Sequence, residues 1–207
     1  MKQSTDRVAL LYCTKMPGGT VSNIHFHEKQ SQPQYYTTAV YVSDGAHVSF
    51  SNCSFTSDSL SSVRVDKRST AKFERCEFMN AKLVALSIID SKCLLDNCSL
   101  HSNHLSAIRI ANPSEDRETG FAVITSCRIF GNLAGGIEVA EKAFAVIRKN
   151  KISDNKEFGV EVRLADAWID KNQINDNKTF GFHKSKFLLF YNFIFRKKFC
   201  CLGRERD

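Results

Sequence analysis

Two sets of residues in this sequence have the types and spacing that chemistry requires. Four cysteines recur at intervals of 23, 22 and 29 residues, at Cys53, Cys76, Cys98 and Cys127. Two glutamates, Glu138 and Glu161, are separated by 23 residues. Thiolates are metal ligands and nucleophiles, and paired carboxylates carry out glycoside hydrolysis. Whether either set acts chemically depends on the elements that position it.

The interval belongs to an internal repeat that runs through most of the chain. We call its reference point the ladder position, which is held by Ile24, Cys53, Cys76, Cys98, Cys127, Asn150 and Asn172. A large apolar residue comes three residues before each ladder residue and another two residues after it, as Ile147 and Ile152 do around Asn150. In later repeats an asparagine follows five residues after, at Asn103, Asn132, Asn155 and Asn177. A fixed short period of this kind indicates a solenoid.

Each repeat unit is made of short segments in which apolar and polar residues alternate. One of them reads AVYV, SVRV, LVAL, AIRI, GIEV and GVEV in successive units. Such alternation, rich in Val, Ile and Phe and bounded by Asn, Asp, Ser and Gly, predicts half-buried strands. Three strands per unit with tight turns predict an all-β fold, a right-handed single-stranded parallel β-helix of about seven coils of 22–23 residues. The two 29-residue intervals are interpreted as coils with polar, proline-bearing insertions.

We divide the chain into three parts on this basis. Residues 1–18 are predicted to be a lead-in, residues 19–181 the β-helix domain, and residues 182–207 an atypical Phe-rich, basic tail. The apolar run 187–195 is too short to span a bilayer. Together with Cys200 and Cys201 it could lie on a membrane surface, cover the open end of the solenoid, or be an alternative C-terminus. Membrane binding is the least favoured of these.

The ladder cysteines are better explained by architecture than by metal binding. Single thiols on successive coils form a line and not a tetrahedron. Asn150 and Asn172 replace cysteine at the same position, and asparagine tolerates a left-handed turn and bonds its equivalent one coil away. His25 and His27 share one face of a strand but lack a third ligand nearby. We therefore predict no metal and no cofactor.

One outward column of the predicted coils collects charged residues. It lies between the two inward apolar positions of the GIEV-type strand and reads Tyr41, Arg64, Ala85, Arg109, Glu138 and Glu161, with His183 as a seventh member. Two glutamates one coil apart approach the carboxylate spacing of a retaining glycosidase. The favoured interpretation is ion pairing of these glutamates with Arg109 and Arg163.

A second outward column carries the only tryptophan. Trp168 is predicted to point outward beside Val146 and Val123. This column is either a contact surface or an area covered by a cap or a neighbouring domain. The candidate partner-binding residues are Tyr41, Arg64, Arg109, Glu138, Glu161 and Trp168.

The segment GIEVAEKAFAVIRKNKISDNKEFGVEV resembles the right-handed β-helix repeats of the pectin-lyase-like superfamily. It is most similar to the intracellular repeats of β-helix F-box-only proteins and SHC-SH2-binding proteins. The resemblance covers about residues 19–181. The superfamily includes lyases, hydrolases, esterases and non-catalytic binding modules, so the resemblance implies the fold and not the activity. In its enzymes the corresponding face forms a polysaccharide cleft, which makes Arg109, Glu138 and Glu161 the low-ranked catalytic candidates.

Charge and targeting signals narrow the function classes. Of the net charge of +7, residues 184–207 supply most, with seven Lys or Arg against two Asp or Glu, so the body of the chain is nearly neutral. Basic residues are not interleaved with stacking aromatics along the repeat, which disfavours nucleic-acid binding. The apolar run 8–13 is too brief for a signal peptide, so we expect a cytoplasmic protein, with the nucleus as an alternative, and reduced thiols.

Two functions follow from this sequence. The favoured one is a non-catalytic protein-interaction module, which recognises a protein partner in a ubiquitin-ligase or signalling complex and belongs to a longer chain or assembly. The alternative is a carbohydrate-active enzyme, a polysaccharide lyase or hydrolase that uses the outward strand face.

Overall fold

The chain winds into a stack of short parallel strands, three to each coil. The computed structural model describes residues 8–29, 37–58, 60–114 and 119–185, and every regular element in these ranges is a β-strand. The first four coils are β1 (Val8–Thr14), β2 (Thr20–Ser22), β3 (His25–Glu28); β4 (Thr37–Ser43), β5 (His47–Ser51), β6 (Ser54–Ser57); β7 (Val63–Val65), β8 (Thr70–Glu74), β9 (Glu77–Met79); and β10 (Leu86–Ile89), β11 (Lys92–Asp96), β12 (Ser99–His101). The remaining strands are β13 (Ile108–Ala111), β14 (Phe121–Thr125), β15 (Arg128–Phe130); β16 (Ile137–Ala140), β17 (Phe144–Arg148), β18 (Lys151–Ser153); β19 (Phe158–Arg163), β20 (Asp166–Asp170), β21 (Gln173–Asn175); and β22 (Phe180–Ser185).

Each strand pairs with the strand three places further along the chain, so three parallel sheets run the length of the molecule. The first sheet has the order β1-β4-β7-β10-β13-β16-β19-β22, the second runs from β2 to β20, and the third from β3 to β21. All pairings are parallel. This arrangement confirms the predicted all-β solenoid of about seven coils.

The strands extend past both predicted domain boundaries. Strand β1 lies within the segment predicted as a lead-in and pairs with β4, while β22 continues beyond residue 181 and pairs with β19. Strand β1 precedes the first ladder residue, Ile24, and β22 follows the last, Asn172, although His183 of β22 takes the predicted seventh position of the outward column. Three segments named in the sequence analysis lie at least partly outside the described residues. These are the first insertion, within 30–36, the second insertion, at 115–118, and the predicted tail, at 186–207.

The core is filled by the inward side chains that the repeat places around each ladder residue. Phe50, Phe55, Phe73 and Phe78 are buried together with Ile124, Ile129, Ile147 and Ile152 of later coils. Phe50 stacks on Phe73, with ring centroids 5.2 Å apart, and Phe55 stacks on Phe78 at 4.9 Å. These spacings are close to the distance between neighbouring strands. Equivalent side chains therefore pack directly on one another from coil to coil.

Ladder residues form hydrogen bonds with the preceding coil, which lies below them in the stack. The Cys76 Sγ–H donates to the carbonyl of Phe50, the residue three before the previous ladder position, and Asn150 Nδ2 donates in the same way to Ile124 at 2.9 Å. Asn150 Oδ1 also accepts a bond from the backbone N–H of Cys127 at 2.8 Å. Cysteine and asparagine thus fill one structural role, as the sequence predicted.

The left-handed turn residue differs from the prediction. The ladder asparagines were expected to adopt this conformation, but Lys149 (φ 58°) and Lys171 (φ 54°), the residues just before Asn150 and Asn172, adopt it instead. The chain must bend before the ladder residue so that its side chain turns inward to the carbonyl below. At the second corner the residues before Asn132 and Asn155 have positive φ for the same reason.

Candidate functional site

The predicted charged column exists on the outer face of the first sheet. Register through this sheet aligns Tyr12, Tyr41, Arg64, Ser87, Arg109, Glu138, Glu161 and His183. From Tyr41 to Glu161 their neighbours along each strand, such as Ile137 and Val139 beside Glu138, are fully buried. The alternation of side chains in a strand therefore holds the column outward. Six predicted members lie together on this face: Tyr41, Arg64, Arg109, Glu138, Glu161 and His183.

Ala85 does not belong to the column, contrary to the prediction. Strand β10 begins at Leu86, which pairs with Val63 and Ile108, so Ser87 takes the outward position. Ala85 is fully buried in the bend before the strand. The segment LVAL alternates as well as LSII does, and only the pairing with adjacent coils distinguishes them.

The two glutamates share one arginine. Arg163 Nη2 contacts Glu138 Oε1, and Arg163 Nε lies 3.3 Å from Glu161 Oε2. Arg109 Nη1 is 3.9 Å from Glu138 Oε1, while Arg109 Nη2 donates to Glu141 Oε1 at 3.1 Å. The hydrogen bond to Glu138 raises the pKa of Arg163 above its usual value.

These contacts bear on what the carboxylates can do. In a retaining glycosidase one carboxyl group donates a proton to the leaving oxygen while the other attacks the sugar. Here Glu138 is buried, with its Oε1 in contact with Arg163, and Glu161 lies between Arg163 and His183, whose Nδ1 is 3.5 Å from Glu161 Oε1. The geometry is that of ion pairing across neighbouring strands.

The other end of the column is organised by a buried carboxylate that the sequence did not single out. Tyr41 Oη donates to Asp66 Oδ2 at 2.8 Å, Ser43 Oγ to Asp66 Oδ1 at 2.9 Å, and Arg64 Nε to Asp66 Oδ2 at 2.9 Å. Burial raises the pKa of Tyr41. Asp66 sits just after the VRV strand, and no repeated pattern marks it.

Trp168 lies on the second sheet, so the structure separates it from the other predicted site residues. Its register neighbours on the outer face are Val146, Val123 and Leu94. Phe121 and Phe144 stack beside them with ring centroids 5.9 Å apart. Trp168 is 62% exposed, Phe144 40% and Leu94 38%. We call this set the apolar stripe, and its members are Leu94, Phe121, Val123, Phe144, Val146 and Trp168.

The two phenylalanines were missed by sequence reasoning although a signal was present. Each directly precedes the small inward residue of its coil, Ala122 or Ala145, and strand alternation places such a residue outward.

A family model described as right handed beta helix region matches residues 10–178. The chain belongs to this right-handed β-helix family. No curated protein and no solved structure matches it. Family membership confirms the right-handed solenoid predicted from the repeat, and the matched residues include the apolar stripe and the charged column from Tyr12 to Glu161.

Within the β-helix the ladder cysteines are buried and free. Cys98 and Cys127 share a hydrogen bond between their thiols. This hydrogen bond, together with burial, raises the pKa of Cys98 to about 12, and the same hydrogen bond lowers the pKa of Cys127. Burial alone raises the pKa of Cys93, which lies in the core of the second sheet. A thiol that stays protonated and buried is an inert packing group.

The histidine pair singled out in the sequence lies on strand β3. His25 and His27 lie on the third sheet with ring centroids 6.2 Å apart, and His25 Nδ1 contacts Ser54 Oγ. Among the described residues, no three His, Cys, Asp or Glu side chains converge as metal ligands. In the same ranges, no helix has the length and apolarity to cross a bilayer.

Proposed function

We propose that this β-helix is a non-catalytic protein-interaction module and that the apolar stripe on its second sheet is the binding surface. The observation that carries the proposal is the stripe itself, which places six apolar side chains side by side on four successive coils. Contiguous exposed apolar surface on a rigid scaffold marks an interaction site.

The expected energetics suit a protein interface. Burying one large apolar side chain contributes roughly 1.5–3 kcal/mol. Tryptophan is among the residues that most often dominate binding energy, and Trp168 is the most exposed large apolar residue of those described. Sheet pairing fixes the stripe before binding, so little backbone ordering opposes association.

The enzymatic alternative has weaker support. Its candidate residues Arg109, Glu138 and Glu161 lie on one face, but they contact one another, Arg163 and Glu141. Because these side chains form ion pairs with one another, the column has the features of a network that stabilises the fold.

The finer proposal concerns the setting in which the module acts. The resemblance to the intracellular repeats of F-box-only and SHC-SH2-binding proteins supports a role in partner recognition within a ubiquitin-ligase or signalling complex. The free, buried thiols of the described residues support folding in a reducing compartment, the cytoplasm or nucleus.

Capture of partners by the full chain tests the proposal. Wild type, Trp168→Ala and Tyr12→Ala would be used in parallel to retain proteins from a cell extract. Tyr12 is a matched control because it is 47% exposed on the first sheet. We expect proteins that wild type and Tyr12→Ala retain but Trp168→Ala loses. Identical sets from all three would contradict the proposal.

A second arm addresses catalysis. The double variant Glu138→Gln, Glu161→Gln should keep the partners that wild type retains. If wild type cleaves a polysaccharide and this variant does not, the enzymatic alternative replaces the interaction module.

A further inference from the structure

Five exposed cations border the apolar stripe on the side of the third sheet. Arg148 lies two residues after Val146 on the same strand, and Lys149 and Lys171 occupy the adjoining turn. Arg128 and Lys151 begin strands β15 and β18 beyond that turn and are register partners. We call this set the basic corner, and its members are Arg128, Arg148, Lys149, Lys151 and Lys171.

The cations of the basic corner are largely unneutralised. Lys171 Nζ lies 4.0 Å from Asp170 Oδ2. Arg128 stacks over the Phe130 ring, 5.4 Å from its centroid. Among the described residues, Arg128, Arg148, Lys149 and Lys151 contact no carboxylate. The corner therefore presents a net positive surface.

Positive charge at this corner is concentrated in the fifth and sixth coils, beside the middle of the apolar stripe. In the third coil the corresponding positions hold Glu74, Arg75 and Glu77, and Arg75 pairs with Glu74. In the fourth coil they hold Asp96, Asn97 and Ser99. The corner is thus acidic in the third and fourth coils and most basic in the fifth and sixth, where the stripe members Val123 and Val146 lie beside it. This coincidence indicates that the two surfaces serve one ligand.

Turn geometry does not explain the lysines. Lys149 and Lys171 have φ values of 58° and 54°, a left-handed conformation that disfavours most side chains and that asparagine tolerates best after glycine. Earlier coils use Asn52 and Asn97 at the same turn, and Arg75 and Ser126 occupy it in the third and fifth coils. Lysine there is less favourable for the backbone than asparagine, so the turn by itself does not select it.

We propose that the apolar stripe and the basic corner together bind an acidic amphipathic helix of a partner protein. This inference rests on the proposed function and specifies the partner. The apolar face of the helix would cover Trp168, Val146, Val123 and Leu94, and its acidic flank would face Arg148, Lys149 and Lys171.

The repeat spacing fits a helix laid along the solenoid axis. Neighbouring coils are about 4.8 Å apart, and a helix returns an apolar side chain to one face about every 5.4 Å. Over the three steps from Leu94 to Trp168 the two periods diverge by only about 2 Å. About three helical turns therefore align one apolar residue with each coil of the stripe.

Other anionic ligands fit less well. Stacking of nucleic-acid bases needs open aromatic faces, but three stripe members are aliphatic, and Phe121 and Phe144 cover one another. The chain's own residues 186–207 are basic and would be repelled by the corner.

The test measures binding of a defined peptide to the full chain. The probe is a fluorescent 16-residue helical peptide with leucines on one face and glutamates along one flank, and its matched peptide has glutamine for every glutamate. The variant is Lys149→Asn with Lys171→Asn, which installs the residue that Asn52 and Asn97 provide and so preserves the turn. Arg75→Asn, at the same turn in the third coil, is the control.

We expect the glutamate peptide to bind wild type about tenfold more tightly than the glutamine peptide. This preference should persist in Arg75→Asn and disappear in the double lysine variant. Equal binding of both peptides to wild type would overturn the acidic partner while leaving the interaction module standing. Persistence of the preference in the lysine variant, no binding of either peptide, or tighter binding of oligothymidylate or phosphatidylserine vesicles would also overturn it.

Discussion

Replacing Asn132 by alanine tests the hydrogen-bonded ladder that holds successive coils in register. Asn132 is fully buried, and its Oδ1 accepts bonds from Asn103 Nδ2 at 2.8 Å and from Asn103 N at 3.2 Å. Its own Nδ2 donates to Asn155 Oδ1 at 2.8 Å. Alanine removes the Asn132 Oδ1 acceptor. The backbone N–H and the Nδ2–H of Asn103 then lose this hydrogen-bond partner inside the core.

The expected loss can be worked out from these contacts. Each buried donor left without an acceptor costs about 1–3 kcal/mol, so the two donors of Asn103 together cost about 4 kcal/mol. For a chain of this size each kcal/mol lowers the melting temperature by roughly 2–4 °C. Asn132→Ala should therefore melt about 12 °C below wild type.

Thermal unfolding followed by circular dichroism measures the effect. Asn175→Ala is the matched control, because Asn175 is exposed at an outward position of the third sheet and bonds only its neighbour Asp176 through its side chain. It should melt within about 2 °C of wild type. If Asn132→Ala melts as the control does, the ladder contributes no stability and the reasoning is refuted.

Three further predictions concern the core and the ladder. Ile147→Asp should be unfolded at room temperature by circular dichroism, because it buries a charge without a partner; a melt like that of wild type would contradict the coil register. Cys127→Asn should melt at or above the wild-type temperature, since its amide oxygen can accept from the Cys98 N–H as Asn150 does from Cys127, and a fall of more than about 5 °C would count against this equivalence. Folding raises the pKa of Cys98 from 9.0 to about 12, so between these pH values the thiol is protonated in the folded chain and ionised in the unfolded chain. The free energy of unfolding should therefore decline from pH 9 to pH 12. Urea unfolding across that range should show a smaller decline for Cys98→Val, and equal declines would exclude this contribution.

Much of the fold follows from the repeated sequence. The ladder position, the apolar residues around it and the alternating strands indicate three strands per coil, because every coil must present matching inward side chains to the next. The ion pairing of Glu138 with Arg109 and Arg163 was also predictable, since Arg109 is at the same repeat position one coil away and Arg163 is two residues beyond that position on the next strand.

Errors and omissions arose where the pattern is locally ambiguous. The segments LVAL and LSII show the same alternation. The sequence pattern therefore places Ala85 in the charged column, at the position that Ser87 occupies in the structure. The left-handed residue was assigned to Asn150 because asparagine tolerates that conformation, although Lys149 adopts it. Asp66 is part of a buried network but lies outside the repeated positions.

The sequence by itself determined the coil, its period and the inward or outward direction of most side chains, because strand alternation and stacking are local and repeated. Only the tertiary structure decided how outward residues from different repeat positions lie relative to one another. It placed Trp168 on a different sheet from Glu138 and Glu161, and it brought Arg128, Lys149 and Lys171 to one corner beside the apolar stripe. Turns set the angle between sheets and register sets the neighbours across coils, and neither is encoded in the alternation of a single strand.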